Sequence, residues 1–177
     1  MEQPFTNDTI DTLQLPQFED AELTPIHSSY LTVIWVNIAV VFGIIAIIAG
    51  VGFYFIDELQ PAWLGITIGY IVVLLFTIVI QVISFKNKAF AFRTHDVIYR
   101  SGAIATTTTI IPYNRIQHVA QHEGLIARWL GLAAVEVFTA GATGSDITIP
   151  GIEKDHAIAI KHLLVGKIQN QKQANEE

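Results

Sequence analysis

Two long uncharged apolar runs dominate the first half of the chain. Residues 31–56 and 62–85 contain no Asp, Glu, Lys or Arg, and Asn37 and Gln81 are the polar residues deepest within them. As helices these runs reach about 39 and 36 Å, which exceeds a hydrocarbon thickness of about 30 Å. The alternative is a pair of buried helices in a soluble core, but too little chain remains to wrap them. We therefore predict two membrane-spanning helices, with Asn37 and Gln81 forming a hydrogen bond between them.

A link of five residues, 57–61, joins the two runs and forces an antiparallel hairpin. The link holds no basic residue, whereas Lys86, Lys88 and Arg93 follow the second run directly. By the positive-inside rule, these juxtamembrane basic anchors keep residues 86–177 in the cytoplasm. An even number of spans then places both termini on the cytoplasmic side of a multi-pass protein.

Small residues recur at four-residue steps along both predicted helices. Gly43 and Gly50 lie on the first helix, and Gly65 and Gly69 form a Gly-x-x-x-Gly pair on the second. Because glycine lets helix backbones approach closely, we predict these four positions as helix-packing sites. They can serve the two helices of one chain or the helix of a partner.

The pattern of apolar and polar residues in the remainder of the chain predicts a small α+β or β-barrel-like unit. Phe90 and Phe92 share one face of an alternating segment, as do Val135 and Val137. Several antiparallel strands followed by one helix can bury their apolar faces against each other. The predicted strands cover residues 89–94, 97–100, 103–111, 133–140 and 146–150, with a short helix at 125–130 and a turn at 141–144.

A helix is predicted after Gly151 from an apolar stripe at helical spacing. Glu153 and Asp155 fall in its first turn, where negative charge suits the helix dipole. Residues 169–177 are predicted to be a frayed tail. The stripe consists of Ile152, Ala157, Ile160, Leu164 and Ile168.

Composition and charge narrow the possible functions. The chain is 51% hydrophobic and only 15% charged, against about 25% charged in a typical soluble domain, so a fully soluble enzyme is disfavoured. The net charge of −6 divides into −8 over residues 1–85 and +2 over residues 86–177. A surplus of +2 gives little counterion release, which disfavours nucleic-acid binding.

Residues 1–30 are acidic and broken by three prolines, which predicts a flexible tail with a short ordered piece near Leu23.

Groups that could carry chemistry are sparse. His118 and His122 are four residues apart, but the segment is not clearly helical and lacks the glutamate of the His-Glu-x-x-His metal motif. No Ser, His and Asp set lies in a nucleophile-elbow context, and no phosphate-binding loop is found. The sequence therefore predicts no catalytic residue, no metal site and no cofactor.

Several short segments together resemble a known family. RIQHV at 115–119, RWLGLA at 128–133 and TAG at 139–141 are similar to the bacterial pleckstrin-homology (PH) domain of YdbS-like membrane proteins. The resemblance covers about residues 86–165 and the two preceding spans. It implies a PH-like domain over residues 86–168, in which a bent antiparallel sheet or open barrel is capped by a C-terminal helix. It also implies a bacterial inner-membrane location, and it supplies no catalytic residue.

Four polar residues of the family-like segment form the predicted binding surface, for a partner or an anionic head group. They are Arg115, Gln117, His118 and Arg128. The alternative is structural: Arg115 and Arg128 could instead pair with Glu123 or Glu136, or cap backbone carbonyls.

A non-enzymatic, membrane-anchored binding or adaptor module is the function that these features favour. The resemblance implies a companion membrane protein with PH-like domains, and homo-oligomerisation through the small residues is also open. One alternative is binding of anionic lipid at the cytoplasmic leaflet, which attracts each basic anchor by about 1 kcal/mol. A metal-dependent membrane hydrolase using His118 and His122 is a further alternative.

Overall fold

The hairpin is formed by two helices that are long and apolar enough to cross a membrane. A computed structural model describes residues 21–140 and 146–174; most of the acidic segment, the predicted turn at 141–144 and residues 175–177 lie outside this part of the chain. Helix α1 runs over Tyr30–Phe55 and helix α2 over Trp63–Asn87, joined by a 3₁₀ helix at Asp57–Ala62. The two predicted helices are thus confirmed to within about two residues at each end.

Seven strands of the described residues form two antiparallel sheets. The first sheet has the order β1-β2-β3-β4, and the second has the order β5-β6-β7. Within the described ranges no strand of one sheet pairs with a strand of the other, so no closed barrel forms. The strands are β1 at Thr24–Pro25, β2 at Ala89–Phe92, β3 at Asp96–Ser101, β4 at Thr107–Pro112, β5 at Ile116–His122, β6 at Leu132–Thr139 and β7 at Ile147–Glu153.

Two helices complete the PH-like domain. Helix α3 covers Leu125–Trp129 between β5 and β6, as predicted, and helix α4 covers Lys154–Ala174 after β7. Ala157, Ile160 and Leu164 of the predicted stripe are buried against the sheets. Two antiparallel sheets capped by a C-terminal helix confirm the predicted PH-like fold.

The first strand lies before the hairpin and pairs with the strand that follows it. Thr24 is opposite Phe90 in the β1–β2 register, and Ile26 enters the core with 4% exposure. The ordered piece expected near Leu23 is therefore a strand of the PH-like domain. The hairpin is inserted between two neighbouring strands of one sheet, which fixes both of its ends to the domain.

Strand β4 is shorter than the predicted strand at 103–111. It begins at Thr107, because Gly102 turns the chain with a φ of +126° and brings Ala105 back over it. A Cβ at Gly102 would lie 1.9 Å from the Ala105 carbonyl oxygen, so this tight turn requires glycine. The turn removes residues 103–106 from the sheet.

The boundaries around the last helix also differ from the prediction. Strand β7 continues through Gly151 to Glu153, because Ile152 pairs with Ala133 and Glu153 with Leu132. Ile152 and Glu153 therefore belong to the strand, and the helix begins at Lys154. At its other end α4 reaches Ala174, so most of the predicted tail at 169–177 is helical; its Gln, Lys and Ala residues are good helix formers.

Candidate functional site at the membrane-facing end

The sheet register places one end of the PH-like domain against the hairpin. We call this the membrane-facing end; it contains the turn at 102–106, helix α3 and the segment around Gly151. The Asn87 amide at the end of α2 donates to the Gly102 carbonyl at 3.0 Å. The His27 backbone N–H, before α1, donates to the Gly151 carbonyl at 2.8 Å. Both helices are thus held at this end, and the opposite end of the domain faces away.

Three large apolar side chains protrude from the membrane-facing end. Ile104 is 87% exposed, Leu125 71% and Trp129 77%. Leu125 and Trp129 are four residues apart on α3, which lies against α1. Exposed apolar and aromatic side chains beside spanning helices are typical of a contact with the membrane interface.

The three predicted basic anchors do not lie together. Lys86 is exposed in the last turn of α2, and Lys88 is half-buried beside the hairpin. Arg93 lies beyond the far end of β2, away from the hairpin, and its guanidinium contacts both carboxylate oxygens of Asp96 at 2.7 and 2.6 Å. Hydrogen bonding to Asp96 raises the pKa of Arg93. Arg93 is therefore not placed to contact the membrane with the two lysines.

A cavity of about 300 Å³ with both polar and apolar side chains in its lining lies between the helices where they enter the domain. The Lys88 ammonium lies 5.9 Å from the centre of the Tyr30 ring, and burial lowers the pKa of Lys88. In the described part of the chain Lys88 has no carboxylate partner. The cavity is lined by Tyr30, Asn37, Thr77, Gln81 and Lys88, together with Ile34, Ile38, Val41 and Phe42.

The Asn37 and Gln81 amides open onto this cavity. The interhelical hydrogen bond predicted between them is not formed. Among the described residues, the Tyr70 hydroxyl instead links the two helices by donating to the Phe42 carbonyl at 3.0 Å. The two rings also meet edge to face, with centroids 5.6 Å apart.

An apolar groove of about 560 Å³ separates the helices between Tyr70 and the link. Gly50 and Gly69 line it, together with side chains such as Phe53 and Ile66. A Cβ added at Gly43, Gly50, Gly65 or Gly69 would meet nothing within 4 Å. The predicted close approach at these four glycines is therefore not made within the chain. Gly50 and Gly69 line the groove, so a packing role toward a partner helix remains a prediction for these two, whereas Gly43 and Gly65 do not line it.

The four polar residues of the predicted binding surface fall at opposite ends of the domain. Arg115, Gln117 and His118 lie at or near the start of β5, at the far end, whereas Arg128 lies on α3 after β5 has ended. A seven-residue strand spans about 23 Å, so these residues do not form one surface. His118 is stacked on Phe138, with ring centroids 4.1 Å apart, which gives it a structural contact.

Ion pairs account for several charged groups on the domain. Glu123 contacts Lys154 at 3.2 Å and Arg128 at 3.6 Å, and the second contact is one of the pairs that the structural alternative named for Arg128. Glu136 pairs with His122 at 2.7 Å, and not with Arg115 or Arg128, the partners that the structural alternative considered for it. The basic partners are 49–69% exposed, whereas Glu123 and Glu136 are only 19% and 27% exposed. Because one partner of each pair is well solvated, the pairs position side chains more than they stabilise the fold.

The residues that the structure describes contain no group of three His, Cys, Asp or Glu able to hold a metal. His118 and His122 both lie on β5, where four residues correspond to about 13 Å along the strand. The helical spacing on which the metal hypothesis depended is absent.

Sequence reasoning missed the exposure of Ile104, Leu125 and Trp129 and the setting of Lys88. The apolar spacing of α3 was visible in the sequence, but spacing does not show which face is covered. Lys88 was identified as a basic anchor from its position, while its cavity depends on how the two helices diverge.

Comparison with known proteins places the chain in a family. The family model described as bacterial PH domain matches residues 30–167, which includes the hairpin. The chain is similar to the UPF0699 transmembrane protein YdbS of Bacillus subtilis (strain 168), with 27% identity over 100 residues. That match covers 55% of this chain and 61% of YdbS, less than two thirds of the relative. No solved structure matches the chain significantly. The chain is a membrane protein that belongs to the bacterial PH domain family.

Proposed function

We propose that this chain is a non-enzymatic, membrane-anchored adaptor that engages a partner membrane protein, or a second copy of itself, through the groove between α1 and α2. The observation that carries the proposal is the open apolar groove of about 560 Å³. Helices in lipid associate by packing small residues closely, and the groove offers Gly50 and Gly69 uncovered. A partner helix seated there would supply the contacts that α1 and α2 do not make with each other.

The fixed joint between hairpin and domain supports an adaptor role. Because β1 and β2 flank the hairpin and pair with each other, a partner bound between the helices has a defined position relative to the PH-like domain. Tethering in one membrane also raises the effective concentration of both proteins, so weak contacts suffice. The family resemblance suggests a companion with PH-like domains of its own.

Substitution in the groove tests this proposal. Gly69→Leu places a large side chain in the groove, whereas Gly65→Leu makes the same change on α2 at a position that does not line it. We expect Gly69→Leu to reduce recovery of the partner or the dimer after purification in mild detergent, with Gly65→Leu close to wild type. A wild-type chain recovered only as a lone monomer would contradict the proposal.

Crosslinking identifies the occupant of the groove. The chain contains no cysteine, so Ile45→Cys introduces a single thiol on the groove wall. A disulfide-linked species with twice the mass of the chain would identify a second copy, and an adduct of any other mass would identify a different protein. Ile47→Cys, exposed on α1 but outside the groove lining, is the matched control.

The orientation of the hairpin is part of the same proposal. We place both termini and the PH-like domain in the cytoplasm of a bacterium, because the basic residues all follow residue 85. A C-terminal alkaline phosphatase fusion should be inactive and a C-terminal fluorescent-protein fusion bright. An active phosphatase would reverse the orientation.

Contact with the lipid surface is a second candidate function, favoured by the exposed trio Ile104, Leu125 and Trp129. It is tested with Trp129 as the sole tryptophan, after Trp35→Phe and Trp63→Phe. In vesicles, brominated lipids should quench Trp129 emission and soluble iodide should not. The opposite pattern would show that Trp129 faces water.

A further inference from the structure

The cavity at the base of the hairpin combines a cation with uncommitted amide donors. The Thr77 hydroxyl already donates to the Val73 carbonyl at 2.8 Å. The lining then offers a ligand the Lys88 ammonium, the Asn37 and Gln81 amides and the Tyr30 hydroxyl as donors. No acidic residue is part of the lining. This donor set fits an anion that presents several oxygen acceptors.

The depths of the donors match the order of polar groups in a glycerophospholipid. Asn37 lies about 10 Å along α1 from its start, and Gln81 about 9 Å from the end of α2, at 1.5 Å per residue. With α1, about 39 Å long, centred on a hydrocarbon layer about 30 Å thick, the amides would lie about 5 Å inside the hydrocarbon boundary. Lys88 follows α2 and lies outside that boundary, at the level of the phosphates. The ester oxygens of a lipid lie between these two levels.

We propose that this cavity binds the head group of one anionic glycerophospholipid, with Lys88 contacting the phosphate and Asn37 and Gln81 donating to phosphate or ester oxygens. The acyl chains then follow the apolar wall formed by Ile38, Val41 and Phe42. This inference deepens the lipid-contact candidate above by naming a separate site for a single lipid. It does not depend on the groove or on a partner protein.

The charge of the lining selects for a net anionic lipid. Lys88 contributes one positive charge, and no carboxylate of the described residues compensates it. Phosphatidylglycerol brings the single negative charge that the site lacks. Phosphatidylcholine brings a phosphate and also a second cation, for which the lining has no acidic partner. Basic pockets between helices at the cytoplasmic side are a known way of holding anionic head groups.

Lipid retention by the full chain tests the site. The purified, delipidated protein is mixed in detergent with phosphatidylglycerol or phosphatidylcholine, and bound lipid is counted by native mass spectrometry. Wild type should bind one phosphatidylglycerol with a preference of about tenfold, the scale of one charged hydrogen bond. Lys88→Gln should lose this preference, and Lys86→Gln, which removes an exposed lysine two residues earlier, should keep it. Equal retention by wild type and Lys88→Gln would overturn the proposal.

Two further variants and a competition with inorganic phosphate distinguish this lipid site from a soluble-phosphate site and from a surface contact at Trp129. Asn37→Leu keeps the hairpin apolar and should also weaken retention, so a folding defect of Lys88→Gln alone does not decide the result. Inorganic phosphate at millimolar concentration should not displace the lipid; full displacement would identify a soluble phosphate as the ligand and overturn the lipid proposal. Trp129→Ser should leave retention unchanged. If Trp129→Ser abolished it while Lys88→Gln did not, only the surface contact would stand.

Discussion

The hairpin and the PH-like domain bury their apolar side chains in opposite ways. In the domain, both sheets and α4 enclose one core in which Val135, Ile149 and Leu164 have no exposure. In the hairpin, the buried residues of the helices are Val33 and Ile34, near the start of α1 where the hairpin meets the domain. The domain therefore closes its own core, whereas the hairpin leaves its surface to lipid or to another helix.

The joint between the hairpin and the PH-like domain shows how one chain combines these two ways of burying apolar side chains. Tyr30 starts α1 and packs against Gly151, and the β1–β2 pair holds the chain on both sides of the hairpin. Apolar side chains are therefore surrounded by protein in the domain and by lipid or a partner in the hairpin. The same substitution should consequently change the free energy of unfolding more in the domain than in the hairpin.

The largest expected effect is cavity formation in the domain core. Leu164→Ala removes a fully buried side chain from α4 and should destabilise the domain by about 2–5 kcal/mol. Leu75→Ala makes the same change on α2, where the side chain is exposed to the surroundings, and should have a much smaller effect. Denaturant unfolding in mild detergent, followed by near-UV circular dichroism, compares them. Equal losses would show that the hairpin has a closed core after all.

Glycine substitution tests the joint. Gly151 has a φ of +67°, and an added Cβ would lie 2.8 Å from the Cβ of Tyr30. Gly151→Ala should cost about 2–3 kcal/mol, from backbone strain together with displacement of α1. Gly69→Ala meets no neighbour within 4 Å in the chain and should be tolerated by the monomer. The same unfolding measurement compares the two variants. An unchanged free energy of unfolding in Gly151→Ala would mean that Tyr30 and α1 can move away from the added Cβ at little cost.

Alkaline pH tests burial of the first sheet. Burial raises the pKa of Tyr99 from 10.0 to about 12. An unfolded chain therefore loses this proton near pH 10 while the folded domain keeps it, so stability is complete below pH 10 and falls towards pH 12. The slope contributed by Tyr99 is at most about 1.4 kcal/mol per pH unit. Tyr99→Phe should flatten it in unfolding measured from pH 9 to 12, and an unchanged slope would contradict this assignment.

The smallest expected effect is at the partly exposed ion pairs of the membrane-facing end. Glu123→Gln removes the acidic partner of both Lys154 and Arg128. Because these groups are partly solvated, the loss should be within about 1 kcal/mol and should shrink further in high salt. A larger loss in the same unfolding assay would show that the cluster supports α3 directly.

Much of the fold could be predicted from patterns with a simple physical origin. Uncharged runs of sufficient length predict the spans, and the stripe through Ala157, Ile160 and Leu164 predicts α4. The boundaries at Gly102 and Gly151 could not be placed, because both glycines adopt positive φ where the chain must turn or approach another segment. The pairing of β1 with β2 joins positions separated by the whole hairpin, and local periodicity carries no signal for such a contact.

The candidate site was less predictable than the fold. Arg115 and Arg128 are close in sequence and share a family-like segment, yet strand β5 separates them. Ile104 and Trp129 are distant in sequence, yet both protrude at the membrane-facing end. A site depends on which ends of elements meet, and that is a property of the assembled sheets.

The sequence by itself determined that this is a membrane hairpin joined to a small α+β domain. The length of an apolar run and its lack of charge are properties of one continuous segment, and they can be read without knowing what the segment contacts. Only the tertiary structure decided that the hairpin is inserted into a sheet, that the glycine faces stay uncovered and that Lys88 borders a cavity between the two helices. These features arise from contacts between residues far apart in the chain. Their free energy depends on packing and on solvent access, which the order of residues alone does not specify.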